Sequence, residues 1–318
     1  MAATGGQSFV MRKLYTLLPS LLEIKKLVIF DIQPPLCNDP RIEYYELDLT
    51  LPESRREMAR ILKDEHVDVF LHAAFLWNPV RDRVWAHEIE SVGTEYTISA
   101  CIEAKIKKII LTSSTLLYGA RHNNPLKIKE EHPLNTEEFP NLKDKAGAER
   151  TVRKFAEKHP DIVITVLRSA MVMGPSVDSY LGRILSRPVV PVLLGYDPMV
   201  QLLHEDDFIQ AYIQALRGDY PGIFNIVPTD HLPLSIVLKI GGRRGLPLPN
   251  LISKRLFQGL YASDLTDFPP SFLNYLRFPV LADGSKAEKK LKYLAKFSTA
   301  ETARAFYDAA EKRSTNAV

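Results

Sequence analysis

Short apolar runs that alternate with amphipathic stretches constrain the fold of this chain more than any other feature. The runs are rich in β-branched residues and almost continuously apolar: LVIFDI (27–32), VDVFLHAAF (67–75), KKIILTSS (107–114) and DIVITVLRSA (161–170). This composition is typical of strands that are covered on both faces. Helical periodicity occupies the stretches 10–21, 89–104 and 141–159. The alternation predicts right-handed βαβ crossovers and a doubly wound parallel sheet, the Rossmann-like form of the α/β class.

The character of the sequence changes after residue 172. Proline and glycine become frequent, and the alternation of strand and helix patterns weakens. We therefore expect a Rossmann-like domain over 1–172, to which 200–230 return, and a smaller lobe made mostly of 173–318. The stretch 246–281 is rich in Leu, Phe, Tyr and Pro. It fits an irregular cap over a cleft, and hydrophobic packing between two lobes explains it equally well.

Composition excludes several classes of protein. The net charge of +3 is spread among interleaved acids and bases, so no basic stripe indicates nucleic-acid binding. Two cysteines without a CxxC pair support neither a disulfide framework nor a zinc site, and they favour the reducing cytoplasm. No apolar run approaches the length of a membrane span, and the N-terminus does not read as a signal peptide.

A glycine-containing turn opens the chain as TGGQSFVM (4–11), and a later strand ends at Asp31. Glycines at such a turn let the backbone approach a pyrophosphate, which then lies at a helix N-terminus. An acid that ends the second strand accepts hydrogen bonds from the adenosine ribose, and it disfavours a 2′-phosphate. Asp31 therefore favours NAD over NADP. A TGxxGxxG pattern laid on the loop keeps Gly5 but places Ser8 and Met11 at the later glycine positions.

Further motifs follow in a fixed order along the whole chain. They are DLT (48–50), HAA (72–74), VGT (92–94), LTSSTLLYG (111–119), LKDKAGAER (142–150), VLRSAMVMGP (166–175), QLLHEDDFIQAYIQAL (201–216), GIFNIV (222–227) and DGSKAEKKL (283–291). In this order the chain resembles the extended short-chain dehydrogenases/reductases, in the NAD-dependent epimerase/dehydratase branch that includes UDP-sugar 4-epimerases. The resemblance implies an NAD(P)-binding first domain and a substrate-binding second lobe.

The resemblance also implies roles for individual positions. Asp48 and Leu49 would contact the adenine. Ala73 and Ala74 would line the pyrophosphate and the nicotinamide riboside. Ser114 matches the active-site hydroxyl, and Lys145 matches the lysine of YxxxK, which holds the nicotinamide ribose. The full set implied for the cofactor is Gly5, Ser8, Phe9, Val10, Asp31, Asp48, Leu49, Ala73, Ala74, Thr112 and Lys145. Plain alternatives remain: tight packing for the alanines, a strand-end cap for Ser114, and an exposed helix charge for Lys145.

The tyrosine that the family uses as its acid–base is absent. Its position is Asn141 in NLKDK, and no tyrosine lies between Tyr118 and Tyr180. A phenol can release a proton once its pKa is lowered toward neutrality, whereas an amide has no proton that titrates near neutral pH. Three other family positions are changed: the asparagine of NVxGT is Glu90, and Ser169 and Met173 interrupt LRPxxVYGP. Either the chain has drifted and still binds NAD, or it no longer performs redox chemistry.

Two functions therefore stay open. One is an NAD-dependent oxidoreductase or epimerase for a nucleotide sugar or for a hydrophobic alcohol of the 3β-hydroxysteroid type. Its proton carrier would be displaced, with His132, Glu137 and Glu138 as candidates. The other is a catalytically silent protein that binds a dinucleotide or small ligand, or serves as a partner in a complex. Either could be a homodimer.

Two polar clusters have alternative explanations as well. His204 and the acids that follow it are best explained as helix-capping residues, with Asp206 or Asp207 as the N-cap, rather than as a metal site. Arg183, Arg187 and Arg277 could meet a diphosphate, but lone arginines more often form surface salt bridges.

Overall fold

The computed structural model describes residues 1–21, 23–76, 78–266 and 269–315, with the side chains of Asn141, Leu251, Ser314 and Thr315 outside the described part. The strands lie at Ala2–Thr4 (β1), Leu27–Asp31 (β2), Ile42–Glu46 (β3), Val69–His72 (β4), Lys108–Ser114 (β5), Val163–Ser169 (β6), Met171–Met173 (β7), Val189–Leu193 (β8), Met199–Val200 (β9), Leu202–His204 (β10), Gly222–Ile226 (β11), Leu232–Pro233 (β12) and Arg244–Leu248 (β13).

The α-helices lie at Phe9–Leu17 (α1), Ser54–Asp64 (α2), Arg83–His87 (α3), Gly93–Glu103 (α4), Pro140–Lys158 (α5), Tyr180–Leu185 (α6), Glu205–Arg217 (α7), Leu234–Ile240 (α8), Asn250–Ala262 (α9) and Thr299–Thr315 (α10). Short 3₁₀ segments span Leu18–Ser20, Thr115–Tyr118 and Pro270–Leu276, and π-helical turns span Glu88–Val92 and Ala287–Leu291.

Among the described residues, seven parallel strands form the main sheet in the order β11-β6-β5-β4-β1-β2-β3. The chain leaves β1 toward β2 and β3, then crosses to β4 on the other side of β1. The carboxyl ends of β1, β2 and β4 therefore meet where the strand order reverses, which is where open α/β sheets bind ligands. The predicted doubly wound parallel sheet is confirmed.

Helices cover both faces of this sheet because neighbouring strand residues point to opposite sides. Ile29 belongs to a core cluster with residues of α1 and α7, whereas Val28 and Phe30 belong to a cluster with α2 and α4. The nearly continuous apolar runs in the sequence follow directly from this double burial. The strand β11, from the region expected to return to the first domain, lies at one edge of the main sheet. The domain boundary at residue 172 stays a prediction.

The remaining strands pair in small two-stranded sheets, β10 with β7, β12 with β9, and β13 with β8.

The stretch 246–281 is more regular than the expected cap, because it holds the end of β13, the helix α9 and the 3₁₀ segment Pro270–Leu276. Phe257, Phe272, Tyr275 and Phe278 from this stretch pack in a separate core cluster with Phe139 and Leu142. Within the described ranges, no helix has both the length and the apolarity needed to cross a membrane.

Candidate functional site

The turn after β1 requires a glycine at position 5. Gly5 has a φ of +71°, and a Cβ there would lie 2.7 Å from the backbone nitrogen of Ala74 and 2.8 Å from the carbonyl of Ala73. Its own N–H donates to the carbonyl of Phe30 at 3.1 Å. The turn is thus pressed against the strand end that carries the two alanines. This close approach explains why the first glycine of the loop is kept.

The residues at the later glycine positions have structural roles of their own. Ser8 is the N-cap of α1, where its hydroxyl accepts a hydrogen bond from the N–H of Met11 at 3.3 Å. Met11 and Val10 are fully buried, and Phe9 begins the helix. The positive end of the α1 dipole therefore faces the turn, as an anion-binding loop needs. The loop therefore keeps its fold with a helix cap, Ser8, and a core residue, Met11, at the two later glycine positions.

Asp31 ends β2 beside this loop. Its Oδ2 accepts a hydrogen bond from the N–H of Gln7 at 3.0 Å, and its Oδ1 accepts one from Gln33 at 3.2 Å. Each carboxylate oxygen can accept a further hydrogen bond. The two hydrogen bonds hold the side chain in place, and it is only half-buried.

Asp48 and Leu49 follow β3, at the same edge of the sheet. The Asp48 Oδ1 accepts hydrogen bonds from the N–H and the hydroxyl of Thr50, at 2.9 and 2.8 Å. Leu49 is buried and would contact a Cβ added at Gly93. These bonds fix the turn in which the resemblance places the adenine.

His72, which precedes the two alanines, is a structural residue. Its Nδ1 lies 2.6 Å from the Thr4 hydroxyl and its Nε2 lies 2.9 Å from the Thr94 hydroxyl. Complete burial lowers the pKa of His72 to about 4, so the ring is neutral at physiological pH. The pair of hydrogen bonds joins β1, β4 and α4 beneath the cleft.

Ser114 and Thr112, both on β5, have different surroundings. The Ser114 hydroxyl accepts a hydrogen bond from the N–H of Leu116 at 3.2 Å, so it caps the 3₁₀ segment, and it also lines a cavity described below. The Thr112 hydroxyl accepts a hydrogen bond from the Tyr212 hydroxyl at 3.0 Å and is buried. The predicted role of Thr112 toward a cofactor would therefore have to come from its backbone.

Lys145 is paired with Glu90 inside the protein. Its ammonium donates to the Glu90 carboxylate and to the carbonyl of Leu76, and it lies 3.8 Å from the centre of the Phe75 ring. The side chains of Lys145 and Glu90 are only 7% and 4% exposed. Lys145 is thus not the exposed helix charge that the sequence left open. Burial lowers the pKa of Lys145 and raises that of Glu90, and the attraction between the two charges opposes both shifts.

Asn141 lies in the first turn of α5, four residues before Lys145. Residues four apart share one face of a helix, so position 141 is next to the lysine on that face. The Asn141 side chain itself is outside the described part of the structure.

A fully buried ion pair anchors α5 to the sheet. Arg168 on β6 donates through Nε to both carboxylate oxygens of Glu149 on α5, at 3.1 and 3.0 Å, and through Nη1 to the Tyr118 hydroxyl at 2.7 Å. The Ser113 hydroxyl donates to Glu149 at 2.6 Å. Burial raises the pKa of Tyr118 to about 12, so this phenol does not replace the missing one. The network fixes the helix that carries Lys145.

A cavity of about 80 Å³ brings Ser114 and Lys145 together. Tyr180 and Phe75 also line it, and none of the candidate proton carriers His132, Glu137 and Glu138 is among its described lining residues. His132 instead packs edge-on against Tyr118, with 6.0 Å between the ring centres, and Glu138 accepts a hydrogen bond from Asn274 at 3.1 Å. Sequence reasoning did not identify Tyr180, because it lies 35 positions beyond Lys145.

The polar group at 204–207 caps α7 differently from the prediction. The N-cap is His204, whose Nδ1 accepts a hydrogen bond from the N–H of Asp206 at 3.2 Å. Asp207 instead accepts from the N–H groups of Lys296 and Phe297, at 3.0 and 2.9 Å. The expected N-cap at Asp206 or Asp207 is wrong, because the helix begins at Glu205 and both aspartates lie in its first turn. Within the described ranges, no three His, Cys, Asp or Glu side chains are grouped as metal ligands.

Comparison with known proteins gives a matching family model and several relatives. The model of the NAD dependent epimerase/dehydratase family matches residues 4–226. An uncharacterised protein of Mycobacterium tuberculosis (strain ATCC 25618 / H37Rv) is 29% identical over 267 residues, which are 82% of this chain and 69% of that protein. A 3 beta-hydroxysteroid dehydrogenase/Delta 5-->4-isomerase of monkeypox virus is 31% identical over 141 residues, 42% of this chain and 39% of that protein.

Solved structures agree on the fold. The dTDP-glucose 4,6-dehydratase DesIV from Streptomyces venezuelae, with NAD and TYD bound, has a TM-score of 0.74 at 18% identity, covering 99% of this chain and 97% of that one. UDP-glucose 4-epimerase from Thermotoga maritima, with UDP-glucose, has a TM-score of 0.70 at 19% identity, covering 98% of each chain. The chain therefore belongs to the NAD-dependent epimerase/dehydratase family of extended short-chain dehydrogenases/reductases.

Proposed function

We propose that this protein binds NAD in the cleft at the ends of β1, β2 and β4 and does not use it to oxidise or reduce a substrate. It would be a catalytically silent, ligand-binding member of its family. The buried pair of Lys145 and Glu90 carries the proposal.

The cleft retains the features that hold a dinucleotide. The backbone of Gly5 approaches that of Ala73 and Ala74 so closely that a Cβ would fill the cradle. The N-terminus of α1 opens onto the turn, and the Asp31 carboxylate lies beside it. A carboxylate at this place favours a ribose hydroxyl over a 2′-phosphate, which supports NAD rather than NADP. The residues present therefore fit the cofactor.

Proton transfer is where the site departs from its family. Oxidation of an alcohol at a nicotinamide ring needs a group that takes the hydroxyl proton, and bound NAD would supply only the hydride acceptor. In the family a phenol takes the proton, and the lysine cation lowers its pKa. Here the phenol is replaced by Asn141, and the Lys145 cation is already compensated by Glu90. Two parts of the proton-transfer machinery are therefore lost together.

Two measurements test the proposal. Isothermal titration calorimetry with NAD and with NADP should show saturable binding of NAD and weaker binding of NADP. Incubation with NAD and UDP-glucose, dTDP-glucose or a 3β-hydroxysteroid should leave each substrate unchanged by nuclear magnetic resonance. This readout also detects epimerisation and dehydration, in which the hydride returns to the sugar and no reduced nicotinamide accumulates. Absence of NAD binding would refute the cofactor assignment, and turnover of any of these substrates would refute catalytic silence.

A second candidate function, NAD-dependent oxidation of an alcohol with Tyr180 as proton acceptor, is favoured by one observation. Tyr180 lines the same cavity as Ser114 and Lys145. If this function holds, turnover should be present in the wild type and lost in Tyr180→Phe with little change in NAD affinity.

A further inference from the structure

A larger cavity of about 300 Å³ adjoins the one that holds Ser114 and Lys145. The two share the walls formed by Leu116, Ala170, Met171, Tyr180, Leu181 and Phe272. The volume is at the lower end of the range for sites that bind small molecules. The α6 and α8 helices and the 3₁₀ segment Pro270–Leu276 supply part of the remaining wall.

The interior of this cavity is apolar and aromatic. Val190, Val237 and Phe257 are among its buried lining residues. Two polar side chains on the wall are already engaged. The Tyr275 hydroxyl donates to the carbonyl of Leu116 at 2.6 Å, and Gln201 exchanges two hydrogen bonds with the backbone of Ala282. A sugar or a base buried here would leave much of its hydrogen-bonding capacity unmet, which is costly.

Among the described residues of the cavity wall, one cation has no charged partner. Arg183 pairs with Asp178 at 2.8 Å, and Asp264, the one carboxylate among the described lining residues, pairs with Arg81 at 2.6 Å. Arg187 also lines the cavity, is exposed to solvent, and forms no salt bridge with any residue in the described ranges. The larger cavity thus combines an apolar interior with one guanidinium at its solvent side, that of Arg187, which has no charged partner among the described residues.

We infer that the larger cavity binds an amphipathic anion. This is a small molecule that has an apolar chain or fused-ring body and one carboxylate or phosphate, and Arg187 binds that charged group. The inference rests on the proposed function, since it names the ligand of a member that does not transform what it binds. It also separates this protein from relatives that take nucleotide sugars. The two phosphates, sugar and base of such a ligand would need more donors than this wall offers.

Displacement of a fluorescent polyene fatty acid, cis-parinarate, tests the inference without NAD. Oleate and oleyl phosphate should displace the probe, and comparing them distinguishes a carboxylate ligand from a phosphate ligand. Oleyl alcohol should compete about tenfold less well, because it lacks the charge that pairs with Arg187. UDP-glucose should not displace the probe.

Variants make the test specific to the larger cavity. Arg187→Gln should weaken oleate binding about tenfold and leave oleyl alcohol unchanged, whereas Arg153→Gln, an exposed arginine on α5, should change neither. Leu181→Trp, at a half-buried position in the shared wall, should block all apolar ligands while circular dichroism confirms folding.

Three outcomes would overturn the inference: displacement by UDP-glucose as effective as by oleate, equal effects of the two arginine variants, or undiminished binding in Leu181→Trp. Failure of the proposed function is visible separately. Reduced nicotinamide formed from NAD and a hydroxylated amphiphile would refute silence and leave the ligand class intact.

Discussion

Removal of one partner from the Lys145–Glu90 pair should destabilise the protein far more than removal of both. In Glu90→Gln the shape is kept, but an ammonium that is only 7% exposed loses its counter-charge. Breaking a buried ion pair in this way costs about 3–5 kcal/mol. We expect the lower end, about 3 kcal/mol, because the Leu76 carbonyl still accepts a hydrogen bond from Lys145 and the lysine can release its proton.

A double-mutant cycle isolates the interaction. Lys145→Met should cost a similar amount, since it leaves Glu90 buried until the carboxylate takes up a proton. The double variant Glu90→Gln/Lys145→Met buries no charge, so its loss should be smaller than either single loss and should fall short of their sum by about 3 kcal/mol or more. Urea unfolding followed by circular dichroism measures all four free energies of unfolding.

The exposed pair of Arg60 and Asp64 provides the control. Its nitrogen–oxygen distance is 2.9 Å, close to that of an ideal pair, but its side chains are 64% and 60% exposed. The same cycle there should give a coupling of about 0.5 kcal/mol or less. If the two pairs showed equal coupling, or if the losses at Glu90 and Lys145 simply added, the buried pair would not hold the lysine, and the proposed silence would rest on Asn141 alone.

Three further perturbations test the loop and the histidine beneath it. Gly5→Ala should lower the free energy of unfolding clearly more than Gly242→Ala, and it should abolish NAD binding as measured by calorimetry. Both glycines have a positive φ, but only at Gly5 would a Cβ collide with backbone atoms. Equal losses of stability would refute the close-approach argument. Ser8→Ala should cost about 1 kcal/mol in urea unfolding through loss of the α1 cap, and Ser8→Gly only a few tenths. Because its pKa is lowered to about 4, His72 stabilises the fold above the unfolded pKa near 6.5 and loses this contribution as pH falls. Wild type should therefore lose about 2 kcal/mol between about pH 7 and pH 5 that His72→Gln does not lose.

The sheet could be predicted because its central strands are covered on both faces. Continuous apolar runs mark β2, β4, β5 and β6, and all four predicted strands are confirmed. The edge strand β3 escaped prediction, because it pairs with a strand on one side only and IEYYE contains no fully buried residue. The helix α2 carries many charges, which obscured the buried stripe formed by Met58, Ile61 and Leu62.

The site could be predicted only in part, since its decisive contact joins residues far apart in sequence. Order and spacing of motifs identified Lys145 and recorded Glu90 as a departure from the family. Nothing local connects these two residues, which are 55 positions apart and meet only when α5 packs against the π-helical turn Glu88–Val92. The sequence around Glu90 gives no sign of a buried cation opposite it, because Glu88 and Ser91 are polar as well. Tyr180 gave no signal at all, because its place in the cavity depends on how the chain beyond β7 folds.

The changes at positions 90 and 141 should act as a unit, and restoring them tests this directly. Asn141→Tyr places a phenol one turn from Lys145, but a lysine paired with Glu90 exerts little field on it, so the phenol pKa should stay near or above about 10. In Asn141→Tyr combined with Glu90→Asn the ammonium is no longer compensated, and the phenol pKa should fall by about 1–3 units. Difference ultraviolet titration of each variant against its parent without the tyrosine measures this pKa without a substrate. Equal phenol pKa values in the two backgrounds would show that Glu90 does not silence Lys145, and catalytic silence would then rest on Asn141 alone.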